Sequence, residues 1–190
     1  MVSPACGIDE VGRGALAGPL IVASVIFKDY KNIPFNIKDS KQTSFFERKK
    51  AFKLITETAD VGIGCVDAKF IDKIGISKAT AVAAEKSIIN NKGKKELFLL
   101  DGGIFLTPNY KKIDIVKGDS NYVSIAAASI VAKYIRDNIM VLKSLQYPLF
   151  KWEKNKGYGT KDHLLAIKLY GITENHRKTF KMNYNETDYA

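Results

Sequence analysis

The run Ser124-Ile125-Ala126-Ala127-Ala128-Ser129-Ile130-Val131-Ala132-Lys133 constrains the fold more than any other stretch of this chain. Alanine has the best intrinsic helix propensity, so the run predicts a helix, and its short side chains let that helix lie close against whatever it covers. The apolar segments elsewhere supply the strands. Ala5 to Asp9 and Leu20 to Phe27 are short and rich in Val and Ile, and the glycine-studded stretch Gly12-Arg13-Gly14-Ala15-Leu16-Ala17-Gly18-Pro19 between them predicts paired strands around a functional turn. Thr43 to Ala59 sets Phe45, Phe46, Phe52, Leu54 and Ile55 among charges at helical spacing, and Val61 to Val66 reads as a third strand. Lys69 to Asn90 predicts one long helix in which Gly75 costs about 1 kcal/mol relative to alanine. Leu97 to Leu100, closed by Asp101-Gly102-Gly103, and Ile113 to Val116, ending at Gly118-Asp119, are two more strands; Lys161 to Tyr170 is a last helix stopped by Gly171. With no internal repeat, linker or low-complexity tract, the pattern predicts a single α/β unit on a mixed sheet.

Of the 190 residues 46% are apolar, enough to build a core and to exclude a disordered chain. No stretch approaches the ~20 apolar residues of a membrane span, and the opening residues lack the basic-then-apolar order of a secretory leader, so a cytoplasmic protein is expected. Cys6 and Cys65, each in an apolar run, are too few for a disulfide scaffold and read as reduced core residues. The formal charge of +10 points to a polyanionic partner, or else to a solubilising lysine coat. Only Arg13, Arg48, Arg136 and Arg177 are arginines, so the excess is nearly all lysine. That composition suits diffuse phosphate attraction and argues against sequence-specific reading of a duplex.

The acids fall at informative places. Asp9 and Glu10 follow the first strand run, Asp101 ends the Leu97 run, and Asp119 follows the Ile113 run. Ligand sites in open α/β sheets gather at strand ends, and carboxylates brought together near a core demand counter-cations. An oxygen-only donor set suits hard divalent ions, Mg²⁺ or Mn²⁺. Beside a basic surface, such a cluster points to metal-assisted phosphoryl transfer. For any single acid the alternative is an ordinary turn former beside glycine. Period-2 geometry aims Asp9 and Glu10 at opposite faces, so the clustering is expected to require a twist or bulge as the strand enters Gly12.

Asp9-Glu10-Val11-Gly12-Arg13-Gly14, followed by Leu16-Ala17-Gly18-Pro19, resembles the opening signature of ribonuclease HII, the type 2 ribonuclease H family. The likeness continues through Asp39-Ser40-Lys41, Leu100-Asp101-Gly102, Lys117-Gly118-Asp119, the alanine-rich run with Arg136-Asp137, Gly157-Tyr158-Gly159-Thr160 with His163, and His176-Arg177 with Phe180. It implies a ribonuclease H-like α/β fold with a mixed five-stranded sheet flanked by helices. Residues 1–190 would form one catalytic domain, with 148–190 as a substrate-contacting region. It also implies an endoribonuclease that hydrolyses the RNA strand of RNA–DNA hybrids and cuts 5′ of ribonucleotides embedded in duplex DNA, leaving 3′-hydroxyl and 5′-phosphate ends. Asp9, Glu10, Asp101 and Asp119 would hold two divalent ions, Mn²⁺ or Mg²⁺; Gly12, Arg13 and Gly14 would read the ribose at the junction. Tyr158 would pack on the following sugar, from an exposed, movable position between two glycines. Glycine permits close backbone approach to a groove, and the 2′-hydroxyl is what separates RNA from DNA.

Lys41 is a candidate phosphate contact, since Asp39 and Ser40 could cap the following helix and leave the lysine at its start. Ser124, Lys133 and Arg136 are secondary candidates, the last two reading first as a solvated helix face or as partners of Asp137. His163 and His176 read as structural hydrogen-bonding residues. The sequence departs from the family's pattern at Phe70 and Gly75, where a Glu and an Asn are usual, and with the site motif at residue 9 the extra N-terminal domain of the related ribonuclease HIII type is not expected. A monomer is expected. A hybrid-binding module without catalysis and a different metal-dependent phosphoesterase remain as alternatives.

Overall fold

A computed structural model of the chain describes residues 5–31, 33, 44–106 and 109–182. Five strands form one mixed sheet: β1 (Ala5–Val11), β2 (Leu20–Phe27), β3 (Ala59–Val66), β4 (Leu97–Asp101) and β5 (Lys112–Ile115), in the order β3-β2-β1-β4-β5. β2 runs antiparallel to both β1 and β3, while β1, β4 and β5 are parallel. The register continues Ile8 opposite Leu100, so Asp9 and Asp101 leave adjacent central strands at the same edge. The helices are α1 (Phe45–Thr58), α2 (Ala68–Ile74), α3 (Ile76–Asn90), α4 (Gly118–Asn121), α5 (Val123–Gln146), α6 (Trp152–Asn155) and α7 (Lys161–Tyr170).

Strand alternation sends β1 and β2 side chains to two cores. Cys6, Ile8, Leu20, Val22 and Ile26 meet Ala79, Ala83 and Ile88 of α3 on one face. Ile21, Ala23, Val25 and Phe27 meet Ala127, Ala128 and Val131 of α5 and Ile55 of α1 on the other. Each buried aliphatic side chain contributes about 1.5–3 kcal/mol. The small residues of α5 do bring it close to the sheet: a Cβ on Gly7 of β1 would stand 2.2 Å from the Ser124 backbone carbon. A third cluster, with Leu16, Met140, Phe150, Trp152 and Ile167, docks the C-terminal part on the end of α5.

Three expectations are corrected. The long helix breaks into α2 and α3 at Gly75, whose φ of 81° lies in the left-handed region. Cys65 is exposed; only Cys6 is a core residue. β3 is an edge strand, and Cys65 stands near its end beside an open cleft with Lys143 and Glu174. Finally, α1 is capped by Ser44, which forms a reciprocal capping box with Glu47, where the sequence pointed to Asp39 and Ser40, which lie outside the described residues. Lys41 lies outside the described residues. No helix among those described is long and apolar enough to cross a membrane.

Candidate active site

A cleft of about 350 Å³ opens where the parallel strands β1 and β4 end, the edge at which open α/β sheets bind ligands. Asp9, Glu10, Gly12, Arg13, Gly14, Asp101, Lys133 and Tyr158 line it. The adjacent pair Asp9 and Glu10 thus shares one surface with Asp101 and Tyr158, both distant in sequence. β1 stays in regular register through Val11, so no bulge brings the first two acids together. Asp9 faces the α5 side and Glu10 the other; both reach the cleft because it straddles the end of the strand.

Each carboxylate is held differently. Asp9 is buried, accepts a hydrogen bond from the Glu10 N–H at 2.8 Å, and is bonded by Ser129 of α5. Asp101 Oδ1 accepts from the N–H groups of Gly102 and Gly118, both at 3.0 Å, which ties the end of β4 to the start of α4. Glu10 has Arg13 at 3.9 Å, and Arg13 also donates to the Gly103 carbonyl at 3.1 Å. Asp119 is buried in the short helix α4 after Lys117, which takes the left-handed conformation, and its charge is felt at Asp9.

Burial pushes the Asp9 carboxyl up to about 7, with the charges of Asp101 and Asp119 adding to the rise. Glu10 rises to about 8, from burial first and the Asp9 charge second, against the pull of Arg13. Two neighbouring acids that resist ionisation mark a site short of positive charge. All the donors are oxygens, so the set fits hard divalent ions better than soft ones. Among the described residues no three His, Cys, Asp or Glu side chains form a ready-made cage for an ion.

The turn after β1 is fixed from behind. Gly12 has φ of 100°, and a Cβ there would stand 2.1 Å from Arg136 Nε; Gly14 has nothing within 4 Å of that position and faces open space. Arg136 corrects the view of it as a solvated or phosphate-binding side chain. It is fully buried and donates to the carbonyls of Ala17, Pro19 and Lys156. Lys133 pairs with Asp137 at 2.8 Å, and Asp137 also holds Arg48 at 3.3 Å. Ser124, in the first turn of α5, is buried. Tyr158 is half-buried, not exposed: Arg136 lies 5.2 Å and Lys133 5.9 Å from its ring centre, at cation–π range.

Sequence reasoning missed Ser129, whose only signal is a hydroxyl inside an alanine run. His163 and His176 behave as structural residues: buried, 3.2 Å apart, with His163 accepting from Trp152 Nε1 at 3.0 Å.

Solved structures share this architecture. Ribonuclease HII of Archaeoglobus fulgidus, determined in a complex with PCNA, superposes with a TM-score of 0.81 at 22% identity, over 97% of this chain and 98% of that one. Ribonuclease H2 of Pyrococcus horikoshii OT3 gives 0.76 at 25% identity over 94% of each chain. Bst ribonuclease HIII, determined with Mn²⁺, gives 0.77 at 22% identity over 94% of this chain and 67% of that one. Fold and cleft therefore place the chain in the ribonuclease H-like fold class.

The profile of the family described as Ribonuclease HII matches residues 6–187. Proteins of that name from Wolbachia sp. subsp. Brugia malayi (44% identical over 184 residues, 97% of this chain and 91% of the relative) and Rickettsia akari (45% over 175 residues, 92% and 90%) are similar along nearly their whole lengths. The chain belongs to the ribonuclease HII family, endonucleases that hydrolyse RNA in RNA–DNA hybrids.

Proposed function

We propose that this enzyme also cuts 5′ of ribonucleotides embedded in duplex DNA, leaving 3′-hydroxyl and 5′-phosphate ends, at a two-ion site built from Asp9, Glu10, Asp101 and Asp119. One observation carries the reading: a single cleft gathers three of these acids with the Gly12-Arg13-Gly14 turn and Tyr158, while the fourth acid stands close enough for its charge to act on Asp9.

Mg²⁺ or Mn²⁺, when bound in a pair, supplies Lewis acidity toward the phosphoryl group and neutralises charge on the entering and leaving oxygens. Mn²⁺ accompanies the structurally similar Bst enzyme. The chain's own residues do the rest. Ser129 and the Glu10 N–H orient Asp9, and the Gly102 and Gly118 N–H groups orient Asp101, so two donors are preset before a cation arrives. Because Asp9 and Glu10 titrate at about 7 and 8, cation uptake displaces protons and strengthens as pH rises through that range.

Gly14, with open space before it, admits a sugar edge to the backbone, and Arg13 stands beside Glu10 at the rim. Tyr158, backed by Arg136 and Lys133, offers its ring to the next sugar. Lys133 and the surface lysines meet phosphates without reading sequence. Lys41 is assigned a phosphate contact from the sequence. Residues 1–190 are read as one catalytic domain, with 148–190, which carries Tyr158, as its substrate-contacting part. The enzyme is read as a cytoplasmic monomer.

The test is a duplex carrying one ribonucleotide, incubated with Mg²⁺ or Mn²⁺. Cleavage on the 5′ side of that nucleotide, abolished by EDTA, is expected. Y158A should lose the preference for that position while Mn²⁺ uptake is unchanged. Uniform cleavage of hybrids with no cut at a lone ribonucleotide would reject the proposal.

A further inference from the structure

Arg136 and Arg177 are both fully buried, and neither forms an ion pair among the described residues. Every hydrogen bond they make goes to a main-chain carbonyl. Burying a guanidinium without a carboxylate is costly, so the carbonyls it holds must matter to the molecule.

The Arg177 contacts fall on the loop after β1. Nη1 donates to the Arg13 carbonyl at 2.9 Å, and Nε and Nη2 donate to the Gly18 carbonyl at 3.3 and 3.1 Å. The preceding residue reaches the other side of the cleft. His176 pairs with Ala17 as a β-bridge, and its ring lies against that of His163. The partners fix both tautomers. The Thr173 N–H donates to His176 Nδ1 at 2.9 Å, so the His176 proton sits on Nε2 and points to His163 Nε2. That nitrogen accepts from Trp152 as well, so the His163 proton sits on Nδ1 and is given to the Tyr158 carbonyl at 2.9 Å.

Asp72 of α2 fastens the segment from outside. Its carboxylate accepts from the Lys178 N–H at 2.9 Å and from the Thr179 N–H and hydroxyl at 3.0 and 2.7 Å. Two adjacent residues thus touch the backbone of the Gly12-Arg13-Gly14 turn and, through one imidazole, the backbone of Tyr158.

We infer that His176-Arg177, clipped by Asp72, is a positioning brace that sets the spacing between the Gly12-Arg13-Gly14 turn and Tyr158, and with it the preference for a lone ribose at a junction with DNA. The inference rests on reading that turn and that tyrosine as the ribose reader. Arginine suits the task because its planar fork spans two carbonyls, whereas a lysine ammonium at the same place would hold one. Neither residue touches the acid cluster, so the brace acts on which sugar is accepted and leaves hydrolysis itself alone.

R177K and D72A test this, with Y158A as control. Each is assayed on a duplex with one ribonucleotide and on a long RNA–DNA hybrid, with Mn²⁺ uptake measured by calorimetry. R177K is expected to cut the single-ribonucleotide substrate at least tenfold more slowly, to lose less than threefold on the hybrid, and to take up Mn²⁺ as the wild type does. D72A, a change at a half-buried position outside both cores, is expected to move the same ratio about threefold. Parallel losses on both substrates in R177K, or an unchanged ratio, would overturn the brace; if R177K does not fold, an unchanged ratio in D72A overturns it. A wild-type enzyme with no preference, or a Y158A enzyme that keeps it, brings down the reading of the turn and tyrosine, and the brace with it. Loss of preference in Y158A with both other variants unaltered defeats the brace alone.

Discussion

Replacing Asp9 by asparagine should stabilise the ion-free protein at alkaline pH while abolishing its chemistry. The Asp9 carboxyl is buried among like charges, and its titration moves from an ordinary 3.8 to about 7. For an acid raised in the folded state, the fold binds a proton that the unfolded chain has released. Stability therefore falls as pH rises through that window and is fully reduced above it. At about 1.4 kcal/mol per unit, the penalty above pH 7 is roughly 4 kcal/mol as an upper bound. Asparagine keeps an oxygen to accept from the Glu10 N–H and Ser129 but cannot ionise. Taking half the bound, D9N should be about 2 kcal/mol more stable than wild type at pH 8 in EDTA. For a chain of this size that is a rise of about 5 °C in Tm. The gap should close below about pH 4, and saturating Mn²⁺ should narrow it at pH 8 by stabilising only the wild type. Scanning calorimetry at several pH values, with EDTA and with Mn²⁺, reads all of this. A D9N protein that melts below wild type in EDTA at pH 8 would refute the reasoning and make the Asp9 charge a structural asset.

G7A should lose about 3 kcal/mol by overpacking, seen as a fall of roughly 10 °C in Tm, because its Cβ would meet the α5 backbone at 2.2 Å. G14A should melt as wild type does, since its Cβ enters open space, yet cut hybrids at least tenfold more slowly if substrate backbone approaches there; steady-state kinetics beside a melting curve checks both. Burial lowers His163 and takes His176 down to about 4, so the pair is neutral in the fold. Its contribution is complete above about pH 6.5 and lost as pH falls toward 4, opposite in sign to that of Asp9. In a D9N/E10Q background, which removes both raised acids, urea midpoints followed by the fluorescence of Trp152, the chain's single tryptophan, should fall over that range; a flat profile would contradict the tautomers assigned to the pair.

Much of the fold is legible in the sequence, because strand and helix periods differ and the apolar runs respect them. Both cores follow from the alternation in Leu20–Phe27, and α7 has the bounds its pattern predicts. Gly75 illustrates what composition cannot decide. A glycine in a helical pattern is either tolerated at a cost or used for a positive φ, and only the packing of α2 against its neighbours selects the second. Cys65 has an apolar context yet is exposed, because an edge strand can run past the layer that covers it.

The acids of the site were readable from strand ends, but their convergence depends on the parallel pairing of β1 with β4, a long-range choice that no local pattern reveals. Arg136 and Arg177 were least legible. Apart from Lys156, their partners are backbone carbonyls more than a hundred residues away in sequence, and none leaves a side-chain signature.

Mn²⁺ titration of the wild type beside D9N and D101N, by calorimetry at pH 8, tests the central claim most directly. Uptake by the wild type with release of protons, and its loss in each variant while the fold persists, is the expected result. A wild-type protein that takes up no ion, or variants that take up as much as it does, would show that these carboxylates do not act together.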